Sequence, residues 1–285
     1  MKKVLLLGST GLLGKALHLH FEKAGFELFA PRHQDLDVTQ ADQAESCFNS
    51  IRPDLILNAV AHNAVDAIEA NEEEYEKALS INAKTPALWA NLCREKGSHF
   101  IHFSSDYVFF GEEKRGYPET AIPSPINKYG TSKSIGETAV VESGASFHLI
   151  RLSRLFGTPS LGENSKKSFL DLMLKSSQEK TKIDVVNDEW SAPTYAPDLA
   201  EFTLKLVTQG FPNGIYHGAN QGACTWFEWA EKIFALSKKN ISLNPVASTH
   251  FNRAAKRPRH SELLNLLGPS NRTWEEALEN CLFVR

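Results

Sequence analysis

Short, wholly apolar runs alternate along this chain with stretches whose apolar residues recur every three to four positions. Val4–Leu7 is the first run, and a continuously apolar strand suits a parallel sheet covered on both faces. Leu13, Leu17 and Phe21 then fall four apart, one face of a helix that Gly25 stops. Glu27–Ala30 reads as a second strand. Thr39 with Asp42 three residues on resembles a capping box, opening a helix that turns Phe48 and Ile51 inward. Arg52-Pro53-Asp54 breaks that helix before a third strand, Leu55–Ala59. A helical stretch from about Asp66 to Glu95 is divided by Pro86. Phe100–Ser104 and Phe147–Leu152 read as strands around a helix over Tyr129–Glu142.

Beyond Phe156 the rhythm loosens. The pattern predicts helices over Ser165–Glu179 and Pro197–Gln209, a short strand at Ile183–Val186, and a strand at Gly214–His217 that returns to the main sheet. Thr225 with Glu228, and Thr273 with Glu276, mark two more helix starts. Strand, helix, strand in repetition predicts an α/β fold, a doubly wound parallel sheet with right-handed crossovers. Residues 1–160, rejoined by about 183–218, are expected to form it. Residues 161–182 and 219–285 are expected to form a smaller lobe over the carboxyl ends of the strands, where ligands bind in such sheets.

Composition narrows the function. The chain has 285 residues, enough for about two domains and a large core. Lys and Arg number 31 against 34 Asp and Glu, so no basic face for nucleic acid is indicated. The four cysteines, Cys47, Cys93, Cys224 and Cys281, are scattered without a Cys-x-x-Cys pair, which argues against a zinc site or disulfide framework and for a reducing cytoplasm. The opening Lys2-Lys3-Val4-Leu5-Leu6-Leu7 is cut by Gly8 after four apolar residues, short of the roughly 7–15 of a secretory segment. No stretch approaches the roughly 18 apolar residues of a membrane span. The expectation is a cytoplasmic protein with neither nucleic-acid nor membrane partners. The ten histidines lack metal-ligand spacing, so no metal is expected.

Gly8-x-x-Gly11-x-x-Gly14 follows the first strand and opens the first helix. Glycines there allow a tight turn and close approach of a pyrophosphate, and the helix N-terminus offers it free N–H groups. The spacing has one residue more before the second glycine than the standard dinucleotide fingerprint. Past the second strand stands Arg32, where an acid would suit NAD; a guanidinium suits the extra phosphate of NADPH, which is favoured with NADH as the alternative.

Tyr129 and Lys133 are four apart and share a helix face. Alone the spacing says little, but Ser105 closes the fourth strand, at the sheet edge where such folds place their chemistry. A ketone receiving hydride becomes an alkoxide and needs a proton. A phenol near pKa 10 is a poor donor at neutral pH unless a nearby ammonium lowers that value, and Lys133 is placed to do so. The Ser105 hydroxyl would polarise the carbonyl.

The chain resembles the extended short-chain dehydrogenase/reductases, and among them the nucleotide-sugar 4-ketoreductases. The resemblance spans nearly the whole sequence and rests on Arg52-Pro53-Asp54 through Asn58-Ala59-Val60-Ala61-His62-Asn63-Ala64-Val65-Asp66, on Ser104-Ser105-Asp106-Tyr107-Val108-Phe109, and on Tyr129-Gly130-Thr131-Ser132-Lys133 with Gly136-Glu137. Ser191-Ala192-Pro193-Thr194-Tyr195, Trp226-Phe227-Glu228-Trp229-Ala230 and Arg257-Pro258 with Ser261 and Leu263 extend it. It implies a Rossmann-type fold and reduction by NADPH of the 4-keto group of a dTDP-6-deoxy-hexulose to dTDP-L-rhamnose or a close relative, in building cell-surface polysaccharide. By that resemblance Gly8, Gly11, Leu12 and Leu13 meet the pyrophosphate, Asp37 and Val38 lie near the adenine, and Ala59, Ala61, His62, Asn63 and Phe103 line the nicotinamide side. Ser105, Tyr129 and Lys133 are the catalytic set, the latter two also touching cofactor, and Ser105, Asp106, Arg154 and Arg257 face the nucleotide-sugar substrate. A homodimer is the candidate assembly.

Two departures bear on the sugar. Arg154 stands where the family has a tryptophan, and Asp188-Glu189-Trp190-Ser191 differs from the usual glutamine and glycine. The competing readings are a non-catalytic NADP-binding subunit of the kind that regulates methionine adenosyltransferases, a reductase for a different nucleotide sugar, and an epimerase that recycles bound cofactor.

Overall fold

The computed structural model describes residues 2–158 and 167–284. Six parallel strands form the central sheet: β1 (Lys3–Leu7), β2 (Glu27–Phe29), β3 (Leu55–Asn58), β4 (His99–Ser105), β5 (Ser146–Leu152) and, far later in the chain, the Gly214–His217 strand. Val4, Leu5, Leu6 and Leu7 are all buried, as a strand covered on both faces requires. The spatial order is Gly214–His217, β5, β4, β3, β1, β2. Chain order therefore reverses between β1 and β3, the switch point at which such sheets open a ligand crevice.

Helix α1 (Leu12–Lys23) turns Leu13, Leu17 and Phe21 onto one face of the sheet. The other face carries α2 (Ala41–Ile51) through Ala44 and Phe48. Thr39 does not cap α2: its hydroxyl donates to Asp37 Oδ1 at 2.7 Å, and Gln40 occupies the cap position without a side-chain bond. The closer carboxylate won the threonine.

The expected long helical stretch comes as α3 (Val65–Ala70), α4 (Glu72–Leu79), a π-turn over Ser80–Lys84, and α5 (Thr85–Lys96). Pro86 sits in the first turn of α5, where its missing N–H costs little. Helix α6 (Lys128–Glu142) begins at Asn127, whose side chain accepts the Gly130 N–H.

After β5 come β6 (Leu155–Phe156), α7 (Phe169–Glu179), β7 (Lys182–Val186), β8 (Trp190–Ser191), β9 (Thr194–Tyr195) and α8 (Ala196–Thr208). The Gly214–His217 strand is β10, followed by β11 (Cys224–Thr225), α9 (Trp226–Leu236), β12 (Ser242–Val246) and α10 (Trp274–Phe283). The start expected for α7 at Ser165 lies outside the described residues; Ser168 caps the helix in a box with Asp171.

The expectation that 183–218 rejoins the main sheet as one piece holds for its end and not for its start. Helix α8 packs on the α1 face and β10 pairs with β5, but β7 pairs with β12. Ile183 and Val185 instead enter a second core with Leu170, Trp229, Ile233 and Leu278. Apolar pattern shows that a strand is buried but not which sheet buries it. The two capping boxes expected at Thr225 and Thr273 are both formed.

Candidate active site

A cavity of about 1170 Å³ opens between the two cores, above the switch point. Its floor is the glycine turn. Gly8 holds φ +81°, a left-handed conformation that a side chain resists, and a Cβ on Gly14 would lie 2.1 Å from the Gly8 carbonyl oxygen. Gly11, the residue before α1, makes no side-chain cap, so the first N–H groups of the helix face the cavity beside Leu12 and Leu13. Ala59, Ala61 and Asn63 line the wall that follows β3.

The carboxyl end of β4 and the start of α6 form a second wall. Ser105 accepts the Tyr107 N–H at 3.2 Å, donates to Asp106 Oδ1 at 3.1 Å, and hydrogen-bonds with the Tyr129 hydroxyl. Burial holds the Tyr129 phenol up at about 12, against the pull of that hydrogen bond. Lys133, also buried, donates to the Phe103 carbonyl at 2.7 Å, and burial brings its amine down to about 8. The expectation that Lys133 lowers the Tyr129 phenol is therefore not what the fold shows. The groups acting on the phenol are burial, Ser105 and the Asp106 charge, while the lysine is engaged by β4.

Asn82, wholly buried in the π-turn, ties this wall together. Its Oδ1 accepts the His62 N–H at 2.8 Å, and its Nδ2 donates to the His62 carbonyl and to the Ser132 hydroxyl, which lies between Tyr129 and Lys133 in the chain.

The facing wall comes from distant segments. Asp106 is wholly buried; its Oδ2 accepts the hydroxyls of Ser261 at 2.6 Å and Ser191 at 3.2 Å, which oppose the upward push of burial on its carboxyl. Arg154 adopts φ +43°, donates to the carbonyls of Cys224 and Glu189 at 2.7 and 2.8 Å, and lies 4.0 Å over the Trp226 ring. A half-buried guanidinium stacked on indole is stabilised by about 1 kcal/mol. Trp226 thus brings an aromatic ring to the wall that Arg154 occupies. Glu189 is clamped by Arg253 and by Trp226 Nε1 at 3.0 Å. Arg257 grips Asp66 bidentately, both bonds 2.6 Å, and this holds the aspartate down at about 2.

The cavity gathers Gly11, Leu12, Leu13, Ala59, Ala61, Asn63, Phe103, Ser105, Asp106, Tyr129, Lys133, Arg154 and Arg257. Five candidates do not line it. Gly8 lies under the turn, with its backbone against Ala59. Arg32 is exposed past β2. Asp37 spends its carboxylate on Thr39, which lowers its pKa, and Val38 gives its carbonyl to Trp89 Nε1. His62 turns to Glu74 at 2.6 Å. Sequence reading missed Asn82, Ser104, Tyr107, Glu189, Ser191, Trp226 and Ser261 as parts of the site. Ser104 neighbours Ser105 in the same motif and is among the residues lining the cavity; its hydroxyl is buried with no hydrogen-bond partner among the described residues. Among the described residues no cluster of three metal-ligating side chains occurs, and no helix is long and apolar enough to cross a membrane.

A doubly wound sheet with a glycine turn at its switch point and a Ser–Tyr–Lys set at the next strand end defines an extended short-chain dehydrogenase/reductase, a class of oxidoreductases. Within that class, the family model described as the RmlD substrate binding domain matches residues 1–284, and the chain belongs to this family. It is 32% identical to the spore coat polysaccharide biosynthesis protein SpsK of Bacillus subtilis, over all of this chain and 98% of that one. It is 32% identical to the dTDP-4-dehydrorhamnose reductase of Escherichia coli, over 91% of this chain and 88% of that one. The crystal structure of dTDP-4-dehydrorhamnose reductase from Bacillus anthracis in complex with NADP matches with a TM-score of 0.93 at 31% identity, covering 100% of this chain and 99% of that one.

Proposed function

We propose that this chain reduces the 4-keto group of a dTDP-6-deoxy-hexulose with NADPH, giving dTDP-L-rhamnose or a close relative. The observation that carries the reading is one continuous cavity joining the α1 N-terminus to Ser105, Tyr129 and Lys133, and these to the Arg154–Trp226 wall.

The chain's own geometry fits a dinucleotide. Gly14 leaves no room for a Cβ, α1 starts uncapped at the cavity floor, and Ser104, one of the lining residues, carries a buried hydroxyl with no partner among the described residues. Gly11, Leu12 and Leu13 would hold the pyrophosphate, Arg32 the 2′-phosphate, Asp37 and Val38 the adenine side, and Ala59, Ala61, Asn63 and Phe103 the nicotinamide side. The reduced cofactor supplies the hydride when bound. Ser105, releasing the hydrogen bond it gives Asp106 Oδ1, would donate to the keto oxygen and steady the charge that grows there. Tyr129, kept protonated through the neutral range by burial, gives its proton to that oxygen. The phenolate left behind recovers its proton from solvent, and Lys133, one turn along α6, would hold the nicotinamide ribose. Asp106, Arg154, Trp226 and Arg257 orient the nucleotide sugar, with the two cores acting as cofactor-binding and substrate-binding lobes.

The likeness to reductases acting on this substrate class, one solved with NADP, supports the reading. The test is NADPH consumption on a panel of 4-keto-6-deoxy sugars carrying dTDP and other nucleotides, with product identification. Turnover of the dTDP sugar to a 6-deoxy-hexose is expected. Binding of NADPH without consumption would make the chain a non-catalytic subunit, and interconversion without net consumption would make it an epimerase.

A further inference from the structure

Behind Lys133 lies a buried histidine that the reaction as proposed does not use. His102, in β4, is wholly buried. Its Nδ1 lies 3.2 Å from Asn58 Nδ2, and its Nε2 lies 3.4 Å from Lys133 Nζ. The orientation of Asn58 is fixed from its other side, because its Oδ1 accepts the Val60 N–H at 3.2 Å. The amide therefore presents its NH₂ to the imidazole, and Nδ1 must be the acceptor. A neutral imidazole has one proton, so that proton sits on Nε2, facing the lysine. The ring stays neutral, since burial and the lysine charge both push its pKa well below the ordinary histidine value.

This sets two donors against each other: an N–H dipole pointing at an ammonium. The Phe103 carbonyl holds the ammonium at 2.7 Å, while the imidazole opposes its charge from the other side. A neutral amine would instead accept the Nε2 proton. The other titratable groups around Lys133 are Tyr129 and Glu137 on its own helix and Arg151 on β5; Glu137, paired bidentately with Arg151, pulls the lysine upward against burial. The π-turn packed on α6 presents the uncharged Asn82.

We propose that His102, oriented by Asn58, is a positioning residue that seats Lys133 against the Phe103 carbonyl and holds its amine close to the point of losing its proton. Burial lowers the lysine amine to about 8, and the imidazole dipole acts in the same direction from the side away from the Phe103 carbonyl. The inference rests on the assignment of Lys133 to the reaction, but its test reads the lysine itself, so a chain that turned over no keto sugar would still decide it.

The test is a carbon-13 NMR titration of the lysine Cε resonances in the full chain, with Lys133 assigned by the signal missing from Lys133→Arg. His102→Gln, whose side-chain carbonyl can face the ammonium, is expected to raise the Lys133 midpoint by about one pH unit. Asn58→Leu frees the imidazole to turn an acceptor nitrogen toward the lysine, and is expected to move the midpoint the same way. It decides the matter if His102→Gln does not fold. In an active enzyme the alkaline limb of kcat should move up with the midpoint, while the urea unfolding midpoint stays close to that of the unaltered chain, which separates loss of the imidazole from water entering a loosened fold. A midpoint unchanged or lowered in the folded variant would overturn the proposal.

Discussion

The two long walls of the cavity are built in opposite ways. The wall carrying Ser105, Tyr129 and Lys133 comes from one strand end and one helix, and its polar groups are held by backbone and by near neighbours such as Tyr107 N and the Phe103 carbonyl. The wall carrying Arg154, Glu189, Trp226 and Ser261 is drawn from four separated segments and is held by charge and stacking. The first wall fixes atoms that must meet a reacting carbonyl wherever it comes from. The second is joined to the first through Asp106, which accepts from Ser105 on one side and from Ser191 and Ser261 on the other. On the proposed reading, chemistry is carried by regular structure, and choice of sugar by the crossing between lobes.

If that division is right, damage to each wall should read out differently. The largest effect is expected for Tyr129→Phe, which removes the proton donor alone. kcat should fall by about 10³-fold or more while NADPH affinity stays within about tenfold, measured by turnover and fluorescence titration. A near-normal rate would break the assignment. Next, Glu189→Leu strands Arg253 in a mostly buried site and should cost about 3 kcal/mol in urea unfolding. A loss below about 1 kcal/mol would mean that charge does not hold the second wall. Arg154→Ala should raise KM for the nucleotide sugar about 10- to 100-fold with kcat and NADPH affinity little changed, which splits the walls kinetically. A fall in kcat alone would place Arg154 on the chemical side.

The smallest effect concerns pH. Asp66 sits near 2 in the folded chain against an ordinary 3.8, so its bond to Arg257 stabilises the fold above about 3.8, and this contribution fades as pH falls through about 2. Asp66 is half exposed and solvent screens it, so Asp66→Asn should lose less than about 1 kcal/mol at neutral pH and nothing below about 2. An equal loss at both pH values would show that the bond works through packing and not charge.

The first wall was legible in the sequence because periodicity carries it. An apolar β run followed by glycines fixes the turn, and a spacing of four puts Tyr129 and Lys133 on one face. What the spacing left open was where the lysine amine would point, since Phe103 is thirty positions away. The second wall was legible only as two discrepancies, at Arg154 and at Asp188-Glu189-Trp190-Ser191. The partners of Arg154, namely Trp226 and Glu189, lie too far along the chain for any local pattern to pair them. β7 fell to the second core for a related reason: Ile183 and Val185 declare a buried strand, but only the tertiary fold assigns Ser242–Val246 as its neighbour. Asn82 was hidden inside a helical stretch, because a π-turn has no polar signature apart from the buried side chain it frees.

The most direct measurement follows the hydride itself. With NADPH deuterated at the transferable position of the nicotinamide and a dTDP-4-keto-6-deoxy sugar, the wild-type chain should deliver deuterium to carbon 4 of the sugar, one atom for each cofactor oxidised. Deuterium retained on the cofactor, or appearing at any other carbon, would contradict a carbonyl held between Tyr129 and the nucleotide turn.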